Sequence, residues 1–326
     1  MNSLYVIGGH QHASRSLLAG NGEWNGYQQG RILKVTPETG RIETAFEYVS
    51  PPEVCAAEDP AITFQASTLQ GNKLYACTQT ELMIYDVPAF KQEAYVSLPC
   101  FNDVHCVRPT PDGNFLVANA GLEMVMEITT DGQVLKTWNV LGEEPWGRFS
   151  PDTDYRGLST KPHRAHPNYV FYVDDEPWVT RFHQGDTISL NNFEKRIKIS
   201  NERIHDGVVH DGLIYFTTVN GHLVIANPKT LQVEEDIDLN SMHPEGTLLG
   251  WCRSVLVDGD KVWIGFSRIR PTKLRENVTW VVRGFKRVFP THIACYDLRR
   301  RQCVKEFDLE PAGLAAVYSI FPAPEE

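Results

Sequence analysis

Four histidines and two arginines stand out by type and spacing: His10, His105, His163, His205, Arg164 and Arg253. His105 lies eight residues before Gly113, His205 seven before Gly212, and Cys252, which precedes Arg253, seven before Gly259. Each of these glycines follows an aspartate in a turn signal. In another segment the same level falls near Lys161, with His163 and Arg164 just after it. His10 ends an apolar run that approaches the same level. Asp103, Asp174, Asp175 and Asp206 are carboxylates nearby. Imidazoles gathered from separate segments suit a divalent transition metal ion, and Cys106 and Cys252 offer soft ligands beside them. Without a metal, a neutral histidine serves as general base and an arginine clamps a carboxylate, phosphate or sulfate.

Distant residues converge only if the chain holds them on a common frame. That frame is a repeat of one turn followed by one short apolar strand. It reads Gln70-Gly71-Asn72-Lys73-Leu74-Tyr75-Ala76 and then Asp112-Gly113-Asn114-Phe115-Leu116-Val117-Ala118. Further copies start at Pro167, Asp211 and Asp258, and a sixth at Met1. Asp-Gly and Gly-Asn open hairpins, and the β-branched and aromatic runs after them are strands. Second hairpins follow, as in Met124-Val125-Met126-Glu127-Ile128-Thr129-Thr130-Asp131-Gly132. Four strands per unit, six times, predict an all-β, six-bladed β-propeller of four-stranded blades. The run 315–321 lacks a partner downstream, and the first copy lacks an inner strand. Their pairing closes the ring through the N- and C-terminal strands and removes exposed edges. The expected blades are 1–49 plus 315–326, 62–99, 103–140, 160–193, 203–239 and 249–309, one domain over 1–326.

The Pro111-Asp112-Gly113-Asn114-Phe115-Leu116-Val117-Ala118-Asn119 run and the Glu127–Gly132 hairpin resemble the six-bladed propellers typified by NHL repeats, SMP-30-like and strictosidine-synthase-like enzymes, and arylsulfotransferases. The resemblance is at repeat level. It implies the fold and leaves the chemistry to the site. In arylsulfotransferase-like propellers, central His and Arg residues handle a sulfuryl group. SMP-30-like lactonases use Glu, Asn and Asp around a calcium-like ion, whereas the mouth positions here are rich in His, Cys and Arg.

Long insertions at 8–30 and 266–291, with entry segments 50–61 and 141–160, fall at one end of the ring, the usual mark of a binding face. His166 and His210 are expected in turns at the opposite end. Trp24, Trp146, Trp251 and Trp280 fall in or beside the elaborated loops and suit the wall of an apolar pocket.

Composition removes other classes. The formal net charge of −10 disfavours nucleic acid and anionic membrane as partners. A basic cluster at 268–287 is the local exception. Seven cysteines with no CxxC oppose a disulfide framework. The N-terminus has no basic region before its short apolar run, so a cytoplasmic location is expected. No Walker loop, GxSxG elbow or dinucleotide fingerprint occurs, so no nucleotide cofactor is expected.

The leading expectation is a small-molecule enzyme with a metal site at the channel mouth, performing metal-assisted hydrolysis, elimination or oxidation. His105, His205, His163 and His10 are the candidate ligands. His105, His205, His163, Arg253 and Arg164 are the candidate catalytic groups, acting on an anionic substrate with an apolar part. Two other readings stand beside it. One is a non-catalytic module that grips a protein or peptide partner on the same face. The other is a sulfuryl- or acyl-transfer enzyme that uses His and Arg without metal.

Overall fold

A computed structural model of the protein describes residues 2–11, 26–57, 60–268 and 287–324. The basic cluster between 269 and 286, Trp24 and Trp280 lie outside the described residues.

Six four-stranded antiparallel sheets form the molecule. Blade 1 runs outward as Ala316–Pro322, Leu4–Gln11, Tyr27–Thr36 and Arg41–Tyr48. Blade 2 is Thr68–Gln70, Lys73–Cys77, Leu82–Asp86 and Lys91–Val96. Blade 3 is Val104–Pro109, Phe115–Asn119, Met124–Ile128 and Val134–Asn139. Blade 4 is Pro167–Val173, Glu176–Arg181, Asp186–Ser189 and Arg196–Lys198. Blade 5 is Ile204–His210, Leu213–Thr218, His222–Asn227 and Gln232–Asp238. Blade 6 is Trp251–Asp258, Lys261–Ser267, His292–Asp297 and Gln302–Asp308. The chain is a six-bladed β-propeller. Its seam pairs Leu4 with Pro322 and Gly9 with Ala316, so the last strand supplies the inner edge of the first blade. No helix among the described residues is long and apolar enough to cross a membrane.

Apolar side chains from facing sheets fill the spaces between neighbouring blades. Leu82, Phe101, Phe115 and Met124 pack between blades 2 and 3. Leu223, Val262, Phe266 and Tyr296 pack between blades 5 and 6. Burial of both faces explains the near-continuous apolar runs of the second and third strands.

Blade 4 departs from the repeat read in the sequence. The Pro167–Val173 run was expected to be a second strand opened by a Pro-Asn turn. It is instead the innermost strand, because the two-residue turn is Asp174-Asp175, which joins Val173 to Glu176. Asp174 takes φ 52°, as such a turn requires. The slip moves His166 from the far end of the blade to the channel mouth.

One buried charge ties two blades together. Glu81 is fully buried and accepts hydroxyl hydrogen bonds from Tyr48 (2.5 Å), Thr78 (2.6 Å), Tyr95 (3.0 Å) and Ser50. Burial, reinforced by this carboxylate, holds the Tyr48 phenol far above its ordinary pKa. Glu81→Ala is expected to lower unfolding stability by about 2–4 kcal/mol in urea titrations, because buried hydroxyls lose their acceptor. A loss below about 0.5 kcal/mol, the scale of an ordinary surface change, would show that the hydroxyls find other partners.

Candidate metal centre at the channel mouth

Five of the six inner strands share a bulge, and only that of blade 2 pairs without one. Pairing skips His105 in blade 3, Asn168 in blade 4, Gly207 in blade 5 and Ser254 in blade 6. Tyr318 is skipped in blade 1. A bulge at this level bends the strand and re-aims side chains. Asp103, His166, Asp206 and Ser254 accompany the bulges with φ of 51°, 55°, 67° and 66°. Non-glycine residues in that region cost energy and cluster at sites where the surroundings hold them.

Asp103, His163 and His166 each bring a ligand atom to within 4.8 Å of the others. His163 Nδ1 and His166 Nδ1 are 2.7 Å apart. Asp103 Oδ2 lies 3.8 Å from the first and 3.9 Å from the second. The His105 ring stands edge-on to His166, with centroids 4.4 Å apart.

Hydrogen bonding fixes which nitrogens carry lone pairs. Asn102 Nδ2 donates to the carbonyls of Tyr155 and Leu158, at 2.6 and 2.8 Å, which orients its amide. Asn102 Oδ1 therefore accepts from the Thr160 hydroxyl at 2.9 Å. Thr160 Oγ1 in turn accepts from His163 Nε2–H at 3.2 Å. His163 Nδ1 is left as the acceptor of that ring; it takes the His166 Nδ1–H at 2.7 Å and faces Asp103 beyond it. His105 Nδ1 donates to the Asp103 carbonyl at 2.9 Å, leaving Nε2 unprotonated in the neutral ring. Gly121 packs against Asn102, where a Cβ would sit 1.9 Å from Oδ1.

A carboxylate holds the loop that carries two of these groups. Glu123, buried in the left-handed conformation at φ 58°, accepts the backbone N–H groups of Arg164, Ala165 and His166. The latter two bonds are 2.9 Å long.

Burial sets the protonation states. It depresses the pKa of His105 and His163, and with the neighbouring imidazoles it drives His166 well below the ordinary value. Burial alone would raise Asp103, but His105, Lys161, His163 and Arg253 together hold it below the usual carboxylate range. At neutral pH the cluster is one carboxylate among neutral imidazoles, the state in which both residue types bind metal.

The predicted residues divide. His163 is in the cluster and His105 adjoins it. His205 is buried in the next wall with both ring nitrogens engaged: Trp251 Nε1–H donates to Nε2 at 2.9 Å, and the Asn168 amide faces Nδ1 at 2.8 Å. His10 does not join the group; its Nδ1 lies 2.6 Å from the Gly313 carbonyl. Arg253 lies over the rings of Tyr318 and Trp251, at 4.8 and 5.6 Å, with its Nε buried and unpartnered among the described residues. Arg164 contributes its backbone, while its exposed guanidinium pairs with Glu143 at 2.9 Å. Sequence reasoning missed His166 as a site residue and named Asp103 only as a nearby carboxylate. Their Asp-x-His and His-x-x-His spacings were the available signal.

No family model matches the chain, and no curated protein matches it. Among solved structures, a protein of unknown function from Bacteroides caccae matches with a TM-score of 0.64 and 14% identity. The match covers 100% of both chains. That likeness extends to the fold alone.

Proposed function

We propose that the protein is a metal-dependent enzyme acting on a small anionic substrate at the channel mouth. The observation that carries this reading is the gathering of ligand atoms from Asp103, His163 and His166 within 4.8 Å of one another, with the His163 ring oriented through Thr160 and Asn102 so that its unprotonated nitrogen is Nδ1. Two imidazoles and one carboxylate suit a divalent transition metal with open positions better than calcium, which prefers oxygen ligands. This donor set therefore does not follow the calcium-dependent lactonases whose blades the repeat resembles.

Such an ion would polarise a substrate oxygen or lower the pKa of a bound water. His105, neutral with Nε2 unprotonated, would serve as the general base. Arg253, braced by two aromatic rings, would receive the substrate's anionic group, with Trp251 and Tyr318 beside its apolar part. Metal-assisted hydrolysis and elimination both use this set. Seven unpaired thiols fit a reducing compartment, so the cytoplasm is the location we assign.

Metal analysis of the full chain tests the reading. Wild type loaded with Zn²⁺, Mn²⁺ or Fe²⁺ should retain one more equivalent than His163→Ala and His166→Ala. Equal metal content in folded wild type and both variants would sink the proposal.

A further inference from the structure

We propose that His243, Cys303 and Glu306 form a second metal site, taking a thiophilic divalent cation such as Zn²⁺. This site fastens the connection between blades 5 and 6 to the outer strand of blade 6. Each residue has a ligand atom within 4.8 Å of the other two. Nitrogen, sulfur and carboxylate oxygen together form a donor set that Zn²⁺ accepts.

The strand is shaped for this. Cys303 and Glu306 are three residues apart and would point to opposite faces of a regular strand. Tyr296 pairs with Cys303, while Cys295 pairs with Lys305, so Val304 is an extra residue. That bulge returns Cys303 and Glu306 to one face. His243, which follows the 3-10 turn Leu239–Met242, meets them from the blade connection.

The His243 ring is held before any ion arrives. Its Nε2 lies 2.9 Å from Tyr296 Oη, and the rings of Tyr296 and Phe289 stand edge-on at 5.7 and 5.8 Å. A ring bound to metal through Nδ1 keeps the first contact by donating Nε2–H to the phenol oxygen, the usual outer-shell support of a ligating histidine. Burial, with Glu306 and Cys295 adding to it, pushes the Cys303 thiol up to about 11. A coordinated cation draws off that proton, so binding releases a proton and strengthens as pH rises.

The location gives the site a purpose. Thr247–Leu248 pairs in parallel with Arg287–Val288, and Phe289 N–H donates to Leu248 O at 3.0 Å. His243 thus lies four residues before the Thr247–Leu248 strand, which pairs with Arg287–Val288. A cation on His243 secures this short parallel pair to the outer strand of blade 6.

Cobalt is the test, because a thiolate ligand gives Co²⁺ a near-ultraviolet charge-transfer band. Chelator-treated full-length protein titrated with Co²⁺ should develop this band. Cys303→Ser should abolish it, and Glu306→Gln, at an exposed position, should weaken binding in a folded protein. Tyr296→Phe should weaken binding on the order of 10-fold. His163→Ala should leave the band intact, because the channel-mouth cluster contains no sulfur; the two proposals can therefore fail separately. Absence of the band in folded wild type, or its survival in Cys303→Ser, overturns the site.

Discussion

Glu123→Ala is expected to lower the affinity of the channel mouth for a divalent metal by on the order of 10–100-fold, although Glu123 is not a ligand. Its carboxylate collects three consecutive backbone N–H groups, from Arg164 to His166. That grip holds His166 in the left-handed region, at φ 55°, against its intrinsic preference. It also fixes the path from His163, whose Nδ1 meets that of His166. With alanine, three amides lose a charged acceptor and the loop relaxes toward ordinary dihedrals, carrying both imidazoles away from Asp103. Stability should fall as well, by about 2–5 kcal/mol, since hydrogen bonds to charged groups contribute about 1.5–3 kcal/mol each and do not add fully. Glu123→Gln preserves the shape and one acceptor oxygen but turns an amide nitrogen toward the donors, so it should fall between wild type and alanine. The decisive readout is metal affinity measured on protein that is still folded. If stability drops while affinity stays within threefold of wild type, Glu123 supports the fold and does not position the site.

The ring was legible because its information is local. Asp-Gly and Gly-Asn turns set each hairpin, and the apolar runs after them are buried on both faces. The seam was legible for a different reason: Ala316–Pro322 has no partner downstream and Leu4–Gln11 has none upstream. Blade 4 misled because Asp174-Asp175 is a weaker turn signal than the Pro-Asn pair before it. The site was harder to read. Counting back from turns brought His105, His205 and Arg253 to the mouth, but bulges at His105, Asn168 and Ser254 each shift the register there by one residue. The support is also long-range. Glu123 reaches residues about forty positions downstream, and Asn102 binds Tyr155 and Leu158. No spacing rule exposes such contacts, because loops of any length can deliver them.

Acid should destabilise this protein from about pH 6.5 downward, and a single histidine should account for about 2 kcal/mol of the loss at pH 5. His105, His163, His166, His205 and His292 all have folded pKa values below the ordinary 6.5, with burial the largest cause in each. In the unfolded chain they protonate near 6.5. Below that pH the unfolded state binds more protons than the native state, so stability falls as pH falls. The loss for each ring stops accumulating once pH passes below its folded value. His292 makes the size explicit. It is buried against Phe266 at 4.7 Å, donates Nδ1–H to the Pro290 carbonyl at 2.8 Å, and is pushed down to about 4. From pH 6.5 to 5 that corresponds to about 1.5 pH units at ~1.4 kcal/mol each. Asp206 works in the opposite direction. Burial raises its carboxyl to about 6, so the native state takes up its proton first and gains roughly 1.4 kcal/mol by pH 5. Five rings outweigh one carboxyl, and the net slope is downward into acid. Urea unfolding of wild type and His292→Asn at pH 7.5, 6 and 5 separates the contributions. The variant should start less stable, having lost its ring stacking, yet lose about 2 kcal/mol less between pH 7.5 and 5. Parallel pH dependences in the two proteins would mean that His292 titrates alike folded and unfolded. The acid slope that the variant retains belongs mainly to the mouth histidines. A bound divalent metal should steepen it, because protons then compete for the same lone pairs.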